Sequence, residues 1–254
     1  MRYHRFNILS FGTLLVLLPA VALGLISWKA IVIWAAVHGS VLFTGAMVPQ
    51  LAFFLTPIRK GLRPGLALTF DDGPVPDITP KVLDVLRMNG VKATFFCKGH
   101  LVDENPELAE RIVDEGHIIA NHTYWHCYSW GWNRYDGARN EIMEGQRAIK
   151  RATGKLSLWF RPPFGITNPH ISAAVRSMGL SVVAWDLRSL DTLAATPDQV
   201  MARLRPFVKG ASILLLHDHL PHTPEVVQRV IDLCRHDGTE IVPLDALIES
   251  KPYA

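Results

Sequence analysis

The pattern of hydrophobic and polar positions divides the chain into two unlike parts. From Phe6 to Ile58 the sequence is almost continuously apolar, and Lys29 is its only lysine, arginine or acidic residue. This stretch is too long for one membrane-spanning helix or for the apolar region of a signal peptide. It predicts two spans, at about residues 7–28 and 30–55, joined by a tight turn at Lys29. A cleaved signal peptide followed by a buried helix is the alternative, but no convincing small-residue cleavage site supports it.

Beyond Arg63, seven short apolar runs, rich in β-branched and aromatic residues, alternate with segments of helical length. The runs lie at residues 66–70, 93–97, 117–121, 156–160, 180–185, 212–216 and 239–243. Several intervening segments open on a capping residue and a proline, as at Asn168-Pro169, which is typical of helix N-termini. The alternation predicts a mostly parallel sheet, either closed like a TIM barrel or open and doubly wound. We therefore divide the chain into a membrane segment, residues 1–63, and an α/β domain, residues 64–254.

The distribution of charge narrows the choice of partners. The formal net charge is +3, but residues 1–63 hold six basic and no acidic residues, so the remainder carries −3. Because the positive charge flanks an apolar segment, a nucleic-acid partner is not expected. Arg59, Lys60 and Arg63 are expected to lie beside a membrane and to contact anionic lipid. The three cysteines include no Cys-x-x-Cys pair and imply no disulfide framework.

Candidate reactive side chains follow the predicted strands, at the edge where barrel enzymes carry their chemistry. They are Asp71 and Asp72 after the first run, His122 and His126 after the third, Arg161 after the fourth, Asp186 and Asp191 after the fifth, and His217 and Asp218 after the sixth. Each has an ordinary explanation when taken alone, since Asp-Asp-Gly-Pro is a common turn and His217 could be a capped core histidine. Their joint placement at one end of the strands predicts a single site.

Four motifs carry a resemblance to a known family. TFDDGP (69–74), HTYWH (122–126), RPPFG (161–165) and LLH (215–217) are similar to four of the five motifs of the polysaccharide deacetylases, the NodB-homology family or carbohydrate esterase family 4. The resemblance runs from about Leu66 to Ala246, and the N-terminal apolar segment lies outside it. It implies a distorted, TIM-like (β/α)7 barrel and a metal-dependent hydrolase that removes N-acetyl groups from amino sugars.

A divalent metal suits this chemistry because it lowers the pKa of a bound water and polarises the amide carbonyl. Asp72, His122 and His126 supply one carboxylate and two imidazoles, which is a catalytic metal set that leaves a coordination position open. The resemblance implies the same three ligands. Zn²⁺ is the metal expected first, with Co²⁺, Ni²⁺ or Mn²⁺ as alternatives.

The remaining motif residues receive roles in proton transfer. Asp71 is expected to act as the general base, held by paired hydrogen bonds from Arg161, as the resemblance implies. His217 is expected to protonate the leaving nitrogen, because an imidazole can titrate near neutral pH. Asp191 would orient His217, and Asp186 is a weaker candidate. The backbone N–H of Thr123 is expected to stabilise the oxyanion together with the metal.

The fifth motif departs from the family pattern, Asp-x-x-Asp-Trp. In WDLRSLDT, Arg188 replaces the first aspartate and Thr192 replaces the tryptophan, which suggests a different substrate groove. Aromatic residues in YWHCYSWGWNRY could stack on sugar faces, or could instead pack the loop or touch lipid headgroups. The predicted substrate contacts are Thr123, Trp125, Trp130, Trp132, Pro163 and Phe164.

The leading interpretation is an N-deacetylase that acts on a polysaccharide or a lipid-linked glycan and is held in the cell membrane by two spans. A deformylase or deacylase of a lipid-linked amino sugar is the enzyme alternative. An inactive, membrane-tethered glycan-binding member is the other, and Arg188 alone favours it. Positive residues at the outer ends of both spans, against Lys29 at the turn, place the catalytic domain on the cytoplasmic side.

Overall fold

The computed structural model describes residues 2–210 and 212–254, and its centre is a seven-stranded sheet in which every pair is parallel. The strands are β1 Ala67–Asp71, β2 Thr94–Cys97, β3 Ile118–Asn121, β4 Trp159–Phe160, β5 Ser181–Val182, β6 Leu187–Arg188 and β7 Ile213–His217. Their spatial order is β5-β4-β3-β2-β1-β7-β6. The sheet curls into a half-barrel, with β2 as the middle strand and β1 next to it.

Helices connect the strands and cover the sheet. They are α1 Arg2–Ala22, α2 Lys29–Met47, α3 Thr79–Asn89, α4 Gly99–Glu104, α5 Pro106–Asp114, α6 Tyr135–Thr153, α7 Pro169–Ser177, α8 Pro197–Leu204, α9 Thr223–Asp237 and α10 Leu244–Ile248. Two residues that directly precede a helix-opening proline, the predicted Asn168 and also Thr196, cap their helices through their side chains. Asn168 Oδ1 accepts from the Ile171 N–H at 2.8 Å, and Thr196 Oγ1 accepts from the Gln199 N–H at 3.4 Å. Both satisfy an N–H group that has no partner within its helix.

The sheet is open, so a closed barrel is wrong for the described part of the chain. β5 and β6 stand at opposite ends of the strand order and do not pair with each other. The seventh predicted strand, residues 239–243, contributes only an isolated bridge between Leu66 and Ile241. The run at 180–185 forms the two-residue β5, and a further short strand, β6, follows it.

Both faces of the central strands are buried, as expected for a parallel sheet covered on both sides. Leu68 and Phe70 of β1 belong to one apolar cluster, together with residues of α3 and α9. Ala67, the neighbour of Leu68, belongs to a second cluster on the other face. This double burial explains why β1 and β7 read as continuous apolar runs in the sequence.

The N-terminal segment forms a pair of apolar helices, α1 and α2, joined by residues 23–28. Ser10 Oγ lies 2.7 Å from His38 Nδ1, and Trp34 Nε1 donates to the Ser10 carbonyl at 2.9 Å. By length and composition both helices could cross a membrane, and a signal sequence would pass the same test. The bounds differ from the prediction, because α1 begins at Arg2 and α2 ends at Met47.

Residues 48–63 pack on the α/β domain. Phe54 is buried, and its carbonyl accepts from Ser172 Oγ at 2.7 Å. Ile58 extends along the free edge of β5, where its N–H donates to the Val182 carbonyl and its carbonyl accepts from Ala184, both at 2.8 Å. The predicted boundary lies between residues 63 and 64, and in the structure residues that precede it contact the α/β domain.

Candidate active site

The register of the sheet brings the predicted site residues to one edge. Asp71, the last residue of β1, pairs with His217, the last residue of β7. On the other side of β1, β2 and then β3 continue the sheet, and β3 ends at Asn121, directly before His122. Loops that are far apart in the chain therefore converge at the carboxyl ends of the strands, as predicted.

Asp72, His122 and His126 form a compact group. One ligand atom from each lies within 4.8 Å of the other two. Asp72 Oδ1 is 3.8 Å from His122 Nε2 and 3.6 Å from His126 Nε2. Asp72 and His126 both have positive φ, at 78° and 55°, a backbone region that few residues other than glycine adopt and in which aspartate and histidine are enriched. In these conformations their ligand atoms lie close to one another and to that of His122.

The donor atoms of this group suit a divalent cation. Asp72 Oδ1 is buried and has no hydrogen-bond partner among the described residues. His122 Nδ1 lies 2.7 Å from the Arg161 carbonyl, so this nitrogen carries the proton and Nε2 keeps its lone pair. An orphaned carboxylate oxygen beside two imidazole nitrogens is an arrangement that a cation would complete.

The protonation states agree with that interpretation. Burial lowers the pKa of both His122 and His126 to about 4, so both rings are neutral at pH 7. Burial alone would raise the pKa of Asp72, but attraction to His122, which becomes charged only in acid, and to the Lys98 ammonium lowers it. One ionised carboxylate and two neutral imidazoles are the forms that bind metal.

Asp71 and Arg161 form a buried ion pair beside this group. Arg161 is fully buried, and its Nη1 donates to Asp71 Oδ1 at 2.7 Å. The guanidinium also donates to Thr69 Oγ1 and to the carbonyls of Val183 and Ala184. Asp71 Oδ2 remains 3.7 Å from His122 Nε2. Burial raises the pKa of Asp71 above its ordinary value despite the attraction of Arg161, so the carboxylate is a stronger base than a free one.

His217 is held by Asp191. Asp191 Oδ1 lies 2.7 Å from the ring nitrogen Nδ1 of His217. Asp191 Oδ2 accepts a hydrogen bond from the backbone N–H of His217 at 2.8 Å. Burial lowers the pKa of the His217 imidazole, but the hydrogen bond and the charge of Asp191 raise it more, so that pKa lies above its ordinary value. The predicted pairing of these two residues is present in the structure.

Several predicted residues are placed where their expected role does not fit. The Thr123 N–H donates to Asn121 Oδ1 at 2.8 Å, so it is not free for an oxyanion. Trp130 is fully buried and packs on Phe160, and Pro163 is buried as well. Asp186 accepts from the N–H groups of residues 212 and 213, at the opposite end of β7 from His217. The expectations for these residues are therefore wrong.

Three further side chains lie at the site without having been singled out in the sequence. Lys98 Nζ lies 3.6 Å from Asp72 Oδ1, and His219 Nδ1 lies 3.6 Å from Asp72 Oδ2. Tyr128 is almost fully exposed, and its ring stacks on that of Phe164. A signal was present for the first two, because Lys98 directly follows the second apolar run and His219 stands two residues after His217.

The fold and the site together define an α/β protein with a carboxylate–imidazole group, Asp72, His122 and His126, that could hold a metal ion. The polysaccharide deacetylase family matches residues 59–183. A chitooligosaccharide deacetylase from Sinorhizobium fredii is 39% identical over 178 residues, which cover 68% of this chain and 80% of that protein. The chain therefore belongs to the polysaccharide deacetylases, which are hydrolases of non-peptide carbon–nitrogen bonds.

Solved structures give the same relationship. The crystal structure of the Bc1960 peptidoglycan N-acetylglucosamine deacetylase, in complex with an N-oxidanyl-benzamide, superposes with a TM-score of 0.73 at 28% identity, covering 78% of this chain and 94% of that one. A carbohydrate esterase family 4 pseudoenzyme from Bacillus anthracis superposes with a TM-score of 0.70 at 25% identity, covering 76% of this chain and 68% of that one. Because a pseudoenzyme shares the fold, the case for activity in this chain depends on its own site residues.

Proposed function

We propose that this protein removes the N-acetyl group from an amino sugar of a glycan, with Asp71 as the base, Asp72, His122 and His126 as the metal ligands and His217 as the acid. One observation carries the proposal. Asp71 and His217 end the adjacent strands β1 and β7, Asp71 Oδ2 lies 3.7 Å from His122 Nε2, and the charges of Asp71 and Asp72 act on His217. A base, an acid and a cation site are thus brought together.

The roles of the side chains follow from their surroundings. When bound, a divalent cation lowers the pKa of a water ligand and polarises the substrate carbonyl. Asp71, fixed by Arg161 at Oδ1, accepts a proton from the attacking water through Oδ2, which accepts no hydrogen bond from the guanidinium. His217 donates its Nε2 proton to the amine that leaves, while Asp191 holds Nδ1 and keeps the ring oriented.

Phe164 is a better candidate than Thr123 for contributing the oxyanion N–H. Its φ is 59°, its ring lies 4.6 Å from the His126 ring, and outside its own helical turn, residues 163–165, its N–H has no acceptor among the described residues. A free N–H next to a candidate ligand is the kind of donor that an oxyanion needs. Trp125, Trp132 and Phe164 are all exposed and remain candidates for contact with substrate.

The two residues that differ from the family pattern in the fifth motif, Arg188 and Thr192, leave the proposed catalytic residues in place. Arg188 is exposed, with its guanidinium 5.7 Å from the ring of Trp185, and the Thr192 N–H donates to Asp191 Oδ1. Asp191 itself keeps both bonds to His217. An inactive, glycan-binding role is therefore less well supported than catalysis. A deformylase or deacylase would use the same residues with a different acyl pocket, and only a substrate test separates them.

The proposal is tested by measuring acid release from chito-oligosaccharides, peptidoglycan fragments and polyprenyl-linked amino sugars, each as the N-acetyl and the N-formyl form. Acetate release that depends on added Zn²⁺, Co²⁺, Ni²⁺ or Mn²⁺ is the expected result. Formate release alone would favour the deformylase. If no acid is released from any of them and the protein still binds glycan, it is a binding member of the family.

The pH dependence should report the Asp191–His217 pair. His217 acts in its protonated form, and its raised pKa keeps it protonated to higher pH. Asp191→Asn removes the charge that raises this pKa, so the alkaline limb of kcat/KM is expected to move to lower pH. The exposed Asp198→Asn on α8 is the matched control and should leave the limb in place. An unmoved limb in Asp191→Asn would show that His217 is not the acid.

Both candidate spans are proposed to be retained, with the α/β domain on the cytoplasmic side of the membrane. The arrangement of the helices supports a hairpin, because the Arg2 guanidinium donates to the Leu51 carbonyl and the Tyr3 N–H donates to that of Phe53. The start of α1 and the end of α2 thus lie at the domain, and Lys29 lies at the far turn. Alkaline phosphatase fused after Ala254 should be inactive in a bacterial host. Strong phosphatase activity would place the domain outside.

A further inference from the structure

An apolar cavity lies between the paired N-terminal helices and the site. Its volume is about 460 Å³, and its lining includes Leu42, Phe43, Ala46 and Met47 of α2 on one side and Tyr128 and Trp132 on the other. The backbone joins the two walls, because the Thr167 N–H donates to the Ala46 carbonyl at 3.1 Å. The cavity therefore lies where α2 is hydrogen-bonded to the α/β domain.

The cavity leads to the candidate metal ligands through two ring contacts. The Tyr128 ring, which lines the cavity, stacks on the Phe164 ring at a centroid distance of 5.8 Å and an interplanar angle of 17°. The Phe164 ring in turn lies 4.6 Å from the ring of His126. A molecule with one end in the cavity could therefore pass over this aromatic pair and reach the site.

The chemistry of the lining selects the kind of molecule. Phe43 is 67% exposed and Trp132 is 90% exposed, so large apolar surfaces face outward at the mouth of the cavity. A free oligosaccharide would need many polar partners, and this mostly apolar lining offers few, among them the hydroxyls of Tyr3 and Tyr128. A hydrocarbon chain needs none, and the neighbouring wall is a helix long and apolar enough to lie in a membrane. Aromatic side chains at such a junction are typical of the interface between hydrocarbon and headgroups.

From these observations we propose that the cavity binds the hydrocarbon chain of a lipid-linked amino sugar, which presents its acylamino group to the Asp72, His122 and His126 centre. This inference rests on the proposed deacetylase function and names its substrate as a membrane glycolipid. In this arrangement the sugar lies over the Tyr128–Phe164 pair, on which its ring can stack. The hydrocarbon chain lies against α2.

The test uses alkyl 2-acetamido-2-deoxyglucosides with ethyl, octyl or hexadecyl chains, presented to the full chain in lipid nanodiscs. In the wild type, kcat/KM should rise at least about tenfold from the ethyl to the hexadecyl glycoside, because more methylene groups are buried. Ala46→Phe fills the cavity and should remove most of this rise. Ala36→Phe, an equal change at an exposed position of α2 outside the cavity, should keep it.

A binding measurement separates this inference from the deacetylase proposal. A hexadecyl glycoside with a terminal diazirine, photolysed with metal-free protein, should label residues 42–47 or 128–132, and Ala46→Phe should reduce the label about tenfold. Excess unlabelled hexadecyl glycoside should displace the probe. Equal displacement by phosphatidylcholine would overturn the proposal and make the cavity a site for structural lipid. Sugar-dependent labelling of the metal-free protein, together with no acetate release from the same glycoside by the metal-loaded protein, would support the cavity and refute the deacetylase function.

Discussion

Replacing Asp71 by asparagine is expected to lower kcat by on the order of 10²–10⁴-fold, because the amide cannot accept the proton of the attacking water. The bound metal should remain, since Asp72, His122 and His126 are unchanged. Asp71→Asn also leaves the buried Arg161 without its counter-charge, and removing one partner of a buried ion pair typically costs about 3–5 kcal/mol. The variant is therefore compared with the wild type by thermal unfolding, by metal content and by acetate release.

The control for this experiment is Asp77→Asn, an equal change in the exposed part of the loop after β1. It should retain the activity, the metal content and the melting temperature of the wild type. Near-normal turnover in Asp71→Asn would remove Asp71 from the mechanism. A folded Asp71→Asn that has lost its metal would mean that the two adjacent aspartates have exchanged roles.

Replacing His126 by alanine is expected to remove most of the bound metal, since one of three ligands is lost. Activity should fall by more than about 10²-fold, because the cation would activate the water and polarise the carbonyl. Chelation of the wild-type protein should have the same effect on activity, and adding back the metal should reverse it. Metal stoichiometry after dialysis, measured by inductively coupled plasma mass spectrometry, gives the result independently of turnover.

His170→Ala is the matched control, because His170 is an exposed histidine at the start of α7, outside the ligand group. It should bind metal as the wild type does. If His126→Ala keeps a full equivalent of metal, the ligand set is wrong, and His219, which lies close to Asp72, becomes the next residue to test.

The sequence predicted the parallel sheet and the convergence of the site because both depend on local patterns. Continuous apolar runs mark strands buried on both faces, and the reactive residues follow them directly. The strand at 187–188 could not be predicted, since two residues with one exposed side chain carry no periodic signal. The run at 239–243 has strand composition, but it pairs only at Ile241, and this depends on where α9 returns the chain to the sheet.

The oxyanion donor and the substrate contacts were predicted less well than the Asp and His residues of the site. The roles of Asp72 and His217 follow from the chemistry of their side chains, which the sequence displays. The oxyanion donor is a backbone group, and its availability depends on whether another residue accepts it, as Asn121 does for Thr123. In the same way, the composition of the aromatic loop could not distinguish the buried Trp130 from the exposed Trp132, because tertiary packing decides which ring turns inward.

The hydrogen bonds that Ile58 makes along β5 bear on how the α/β domain can be prepared without its helices. An uncovered strand edge invites pairing with other copies of the same chain. A shortened protein that begins at Pro64 would leave the β5 edge bare and would also lose the buried Phe54. A protein that begins at Pro49 keeps both Ile58 along the β5 edge and the buried Phe54. It should yield monodisperse protein, whereas the shorter fragment should precipitate.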